Sequence, residues 1–173
     1  MITTPDPAIH ASILGLPLLP LFNDIFFGLI GMTLVLIFHG SCINHIIMRF
    51  EVKTSANLNH NQYNWVFFHF YSSFFFIALV HLIEILIWSI FLIALGLFDN
   101  ALQAILFSGS CYTTIGFVGD ILPVGWKTLA FFIAFTGLFS IAWTTSVMIG
   151  MTNAYKSAWN LKYHHKNLNK SQI

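Results

Sequence analysis

Charge is scarce in this sequence. Only 8% of its 173 residues are charged, with Lys+Arg 7 against Asp+Glu 6, where a soluble globular chain carries about 25%. A water-soluble core of this size would not hide the apolar remainder, so a soluble enzyme is excluded. Disorder is excluded too, because disordered chains are polar and charged. The net charge of +1 leaves no basic field that would attract nucleic acid. Cysteine is equally scarce. Cys42 and Cys111 stand far apart in apolar surroundings and point to neither a disulfide framework nor a zinc site. Lys and Arg are missing from residues 1–24, and Pro5, Pro7, Pro17 and Pro20 interrupt any apolar run there, so this segment does not read as a secretory signal. What the sequence has is apolar bulk: 57% hydrophobic residues, 17% aromatic, and 19 Phe. That composition is an integral membrane protein's.

Three apolar stretches are long enough to span, since about 20 apolar residues cross the hydrocarbon layer. Residues 25–48 are the first transmembrane helix, after an extracytoplasmic segment 1–24. A polar loop, 49–64, follows with four Asn, one Gln and one His in residues 51–64. The second stretch, 65–98, exceeds what a bilayer needs, so its first aromatic turns, Trp65 to Tyr71, are expected at the interface. The third runs over 125–152, and a basic tail closes the chain at 153–173. Between the second and third lies a moderately apolar segment, 100–112, of about three turns. It is too short to cross and suits a re-entrant helix capped by Asp99 or Asn100. Six of the seven basic residues, all but Lys127, then fall on one side, which is the cytoplasmic side. The N-terminus, Asp24, Asp99 and Asp120 fall outside. The predicted fold is therefore all-α and membrane-integral, with three transmembrane helices.

The run Thr113-Thr114-Ile115-Gly116-Phe117-Val118-Gly119-Asp120 carries the chemistry. A pore that strips water from a cation must supply oxygens in its place, and consecutive carbonyls do this if all point inward. Alternating left- and right-handed backbone achieves that, and Gly tolerates the left-handed positions. A short helix before the run aims its negative C-terminal end at the cavity below. Irregular backbone of this kind survives at membrane depth only inside protein or along a wet cavity.

This run resembles the potassium-channel selectivity filter, T-T-[VIL]-G-[YF]-G-D. The resemblance extends to small bacterial two-pore-domain-like "ion channel" family proteins. It is carried by His81, Glu84 and Trp88 before the pore, by Tyr112 to Phe117, by Leu122-Pro123-Val124-Gly125-Trp126-Lys127, and by Gly137-Leu138 and Trp143-Thr144-Thr145 in the last helix. It implies a pore domain, 65–152, made of an outer helix 65–98, a pore helix 100–112, a filter 113–120 and an inner helix 125–152. It further implies a homotetramer in a lipid bilayer, a bacterial inner (cell) membrane, with a cytoplasmic C-terminus. Monovalent cations would sit at the carbonyls of Thr114, Ile115, Gly116 and Phe117, with potassium as the permeant ion and no cofactor. His81, Glu84, Trp88 and Tyr112 would support the filter, and Gly137 would be a gating hinge.

Val118 departs from that pattern. Either it is inserted between Phe117 and Gly119, or it replaces the second filter glycine and Gly119 replaces the aspartate. A β-branched residue in left-handed backbone costs about 1–2 kcal/mol. Either register disturbs the outer carbonyl rings and leaves Thr113 to Gly116 intact, so selectivity is relaxed, or the protein is a non-conducting channel-like scaffold or regulatory subunit.

His81, Glu84 and Trp88 share a helical face by their i, i+3, i+7 spacing. Glu84 reads as a helix-locking acceptor behind the filter, or as a proton or ion sensor. Gly137 reads equally as a hinge or as a close helix contact. Thr144, Thr145 and Ser146 either wet an inner cavity or bond back to their own helix. His39, His45 and His69 lack partners at ligand spacing. A metal or enzymatic site on His81, Glu84 and another intramembrane histidine is a third reading, for which spacing supplies two of the three ligands a catalytic zinc needs. No Arg-x-x-Arg repeat marks a voltage sensor.

Overall fold

The computed structural model describes residues 18–116, 121–123 and 125–170. These form helices α1 (Leu18–Asn59), α2 (Tyr63–Ala94), α3 (Ala101–Tyr112) and α4 (Leu129–Lys170), with no strand among the described residues. Within α1, α2 and α4, the segments Leu21–Asn59, Tyr63–Ala94 and Leu129–Tyr163 are long and apolar enough to cross a membrane. Many large apolar side chains face outward, among them Phe22, Phe75 and Ile90, as a lipid-facing surface requires.

Local chemistry sets the helix ends. Asn61 takes a left-handed φ of 56°, and the amides of Asn61 and Gln62 bond back to Leu58 and Asn57 at 3.1 and 2.8 Å, which closes α1 in a Schellman pattern. Gly96, at φ 70°, ends α2 in the same way, with Leu97 N–H donating to the Leu92 carbonyl at 3.1 Å. The N-cap of α4 comes from a distant residue. Asp24 of α1, 1% exposed, accepts the Thr128 amide through Oδ2 at 2.8 Å, so a carboxylate sits at the positive end of α4.

The helices run further than the polar loop and tail suggest. α1 continues through residues 49–59 because Phe50 and Thr54 are buried one turn apart while Glu51, Val52 and Lys53 face outward. α4 continues past residue 152 because Met151 and Ala158 are buried two turns apart, and the rings of Tyr155, Trp159 and Tyr163 pack in succession with centroids 6.2 and 4.8 Å apart. α2 starts at Tyr63 and stops at Ala94.

The chain divides into two compact units. The first comprises residues up to Leu36 and Ile85–Leu138. Its core gathers Trp88 and Leu92 of α2, Phe107 and Tyr112 of α3, and Leu129 and Ile133 of α4. The second comprises Ile37–Glu84 and the chain from Phe139 onward. It is built on Ile43, Phe50, Ile77 and Met151. Tyr155 in that unit packs on Phe67 and Phe70 at 4.9 and 4.8 Å. Lys162 lies over the Phe67 ring at 5.3 Å and donates to Asn64 Oδ1 at 2.7 Å.

Candidate functional site

The short helix α3 is fixed at both ends. Asn100, in extended backbone (φ −110°, ψ 119°), accepts the amides of Leu102 and Gln103 at 2.8 and 3.4 Å. Of the two capping residues the sequence offers, Asn100 is the one used. Along its length, Ala104, Phe107, Ser108 and Tyr112 are buried, and Ser89 of α2 donates to the Ala104 carbonyl at 3.4 Å.

Beyond Tyr112 the chain does not simply leave the helix. The amides of Thr113, Thr114, Ile115 and Gly116 all return to the last carbonyls of α3: to Gly109 at 3.0 Å, Cys111 at 3.0 Å, and Ser110 at 2.9 and 3.3 Å. None of these peptides is cis, and a trans peptide sets each C=O antiparallel to the next N–H. With the amides of Thr114, Ile115 and Gly116 turned to the helix end, the carbonyls of Thr113, Thr114 and Ile115 are turned away from it. The backbone permits this by taking positive φ at alternate residues, Thr114 at 59° and Gly116 at 67°. Thr113 Oγ1 donates to the Gly109 carbonyl at 2.7 Å, which holds the first residue of the run against α3. All four residues from Thr113 to Gly116 are exposed in the single chain, and Ile115 presents 72% of its surface.

A cleft of about 480 Å³ adjoins this run, lined by Thr114, Gly116, Cys111, Leu122 and Phe131 among others. On the other flank of α3, Gly137 of α4 meets the Tyr112 carbonyl so closely that a Cβ there would overlap it. Gly137 is thus a point of close helix contact, and α4 passes through it as unbroken helix. Trp88 is fully buried in the same core cluster as Phe107 and Tyr112. A Cβ on Gly31 of α1 would come within 2.6 Å of its indole, so α1 packs directly on it. Phe117, Val118, Gly119 and Asp120 lie outside the described residues.

His81 and Glu84 belong to the second unit. Glu84, 0% exposed, bonds through Oε1 to Nδ1 of His39 at 2.6 Å, and that ring too is 0% exposed. His81 Nδ1 stands 3.9 Å from Glu84 Oε2, and its Nε2 meets Thr144 Oγ1 at 3.1 Å. Nε2 of His39 approaches the same hydroxyl at 3.4 Å. Thr144 is therefore engaged with two imidazoles, whereas Thr145 donates to its own helix at the Ile141 carbonyl, 2.8 Å away. In the sequence His39 lacks a partner at ligand spacing because its partner, Glu84, lies 45 positions away. The available signal was the cost of a lone polar ring in the middle of an apolar span, which demands a polar partner.

Neither the curated proteins nor the solved structures provide a match to this chain. Residues 79–153 match the family model described as "Ion channel". That stretch takes in His81, Glu84, Trp88, all of α3, the run after it and most of α4. Residues 79–153 are thus similar to the ion-channel family, in a chain that has three helices long and apolar enough to cross a membrane.

Proposed function

We propose that four copies of this chain assemble around one axis into a pore that passes monovalent cations, potassium foremost, across a membrane. The observation that carries this reading is the run after α3. Its amides are tied to the helix end and its carbonyls at Thr113, Thr114 and Ile115 face the opposite way. Rings of such carbonyls from four copies replace the hydration oxygens of a cation. In this reading α3 is a re-entrant pore helix whose negative end stabilises the ion beneath the filter. Gly116 and Phe117 continue the ladder, and Asp120 forms an outer acidic ring. The high exposure of Ile115 in one chain is then relieved by neighbouring copies. Trp88 and Tyr112 back the filter from the shared core. The Lys and Arg near the end of α1 and in the tail support a cytoplasmic C-terminus.

The direct test is flux in liposomes. Native protein passes potassium, and Gly116→Ala, which forces a side chain into left-handed backbone at a cost of about 1–2 kcal/mol in every subunit, greatly reduces it. Unchanged flux in that variant removes the filter assignment. Val118 supports a second reading, a channel-like scaffold that does not conduct. In that case native protein is silent and deleting Val118 creates current.

A further inference from the structure

We propose that His39, His81 and Glu84 form a binding site for one divalent transition-metal ion, with zinc(II) as the ion suited to the donor set. The three residues come from two helices of the second unit, α1 and α2, and their donor atoms all lie within 4.8 Å of one another. Two imidazoles and a carboxylate are a common zinc environment, with bonds of about 2.0–2.2 Å. Donors around one tetrahedral ion at that bond length stand roughly 3.4 Å apart. Here His39 Nδ1 to Glu84 Oε1 is 2.6 Å and His81 Nδ1 to Glu84 Oε2 is 3.9 Å. Each ring thus faces a different oxygen of the Glu84 carboxylate, and an ion held by one of these oxygens and both rings needs small side-chain shifts to bring the three donors to that spacing. The 3.9 Å separation is too long for a hydrogen bond and lies within reach of a shared ion.

Thr144 supplies the second, independent argument. Both rings turn Nε2 towards its hydroxyl, at 3.1 Å from His81 and 3.4 Å from His39. A hydroxyl oxygen has two lone pairs, so in the ion-bound state it can accept from both rings at once. Metal-binding histidines use their second nitrogen in this way, which fixes the tautomer and the ring orientation. When the ion arrives, the proton now between His39 Nδ1 and Glu84 Oε1 must leave that line. Transfer to Nε2 of the same ring places it against Thr144, and both Nδ1 lone pairs then face the carboxylate side. The charge balance also favours a cation, since its Glu84 ligand is fully buried and a carboxylate in an apolar interior is stabilised by a positive neighbour. The side chain of His81 is 19% exposed in the single chain. Because His39 lies outside residues 79–153, the ion would staple the extra helix α1 to the channel segment. The proposal stands whether or not the pore conducts.

The test uses the full chain without a polyhistidine tag, in lipid nanodiscs, stripped with chelator and titrated with cobalt(II). We expect one cobalt per chain with visible ligand-field bands of low coordination number, displaced by one equivalent of zinc. His81→Gln keeps the His39 to Glu84 hydrogen bond, and therefore the fold, yet should weaken binding at least about 100-fold. Thr144→Val should weaken it about 10–100-fold. The tail variant His164→Gln with His165→Gln should bind as the native chain does. Absence of ligand-field bands, native affinity in His81→Gln, or loss of binding in the tail variant would each overturn the site.

Discussion

The carbonyl oxygen of Tyr112 rests on the Cα of Gly137, and no side chain fits between them. The last residue of α3 is thereby seated on α4 through bare backbone, one residue before the exposed run begins. Gly137→Ala must push α3 off its seat, and overpacking of this kind costs about 1–3 kcal/mol. We expect a lower unfolding temperature in detergent together with reduced ion flux. Full flux with an unchanged unfolding temperature would show that α3 does not need that contact.

The cap that Asp24 gives α4 separates charge from hydrogen bonding. Asp24→Ala removes the acceptor for the Thr128 amide and should cost about 1 kcal/mol, the usual size of a lost N-cap. Asp24→Asn keeps an acceptor oxygen and should cost less. Asn100→Ala, at the head of α3, should likewise cost about 1 kcal/mol. Denaturation midpoints of the three variants check the order, which fails if Asp24→Asn is as damaging as Asp24→Ala.

The buried His39 and Glu84 pair should show strong coupling. His39→Ala in chelator-treated protein takes a 2.6 Å partner from a fully buried carboxylate, a loss of about 3–5 kcal/mol. Joint replacement of His39 and Glu84 by Ala removes both polar groups and should cost less than the two single Ala losses added together. A double-mutant cycle on unfolding free energies measures this. Additive costs would mean that the two residues do not depend on each other.

Much of this architecture is legible in the residues. Apolar runs mark the spans, the three-turn length of α3 marks it as too short to cross, and Asn100 declares its start by its capping chemistry. The boundaries are less legible. Glu51 and Lys53 read as loop because they are charged, yet helix α1 carries them on an outward face while Phe50 and Thr54 hold the inner one. His81 and Glu84 announce themselves by i, i+3 spacing, but His39 and Thr144 reach them only through tertiary packing, 45 positions from Glu84 and 63 from His81. The close contact at Gly137 is not legible because composition alone does not say what faces a glycine. The left-handed turn at Thr114 is hidden for a similar reason, since its driving force is the set of unsatisfied carbonyls at the end of α3.

Val118 should set the sharpness of ion choice. Val118→Gly removes the β-branched side chain from the outer part of the proposed filter, where left-handed backbone is costly for it. The expected outcome is a reversal potential shifted towards the potassium equilibrium value in a potassium/sodium gradient. An identical reversal potential in native and variant protein would mean that Val118 does not touch the ion path.

In the proposed pore the carbonyls of Thr113, Thr114 and Ile115 point at the ion once the chain has assembled. Crystals of the full-length protein soaked in thallium(I), a heavy stand-in for potassium, test this through anomalous difference density. Peaks are expected on a fourfold axis, ringed by those carbonyl oxygens from four copies. An assembly in which these oxygens face lipid, or in which thallium is absent from the axis, would contradict the proposed pore.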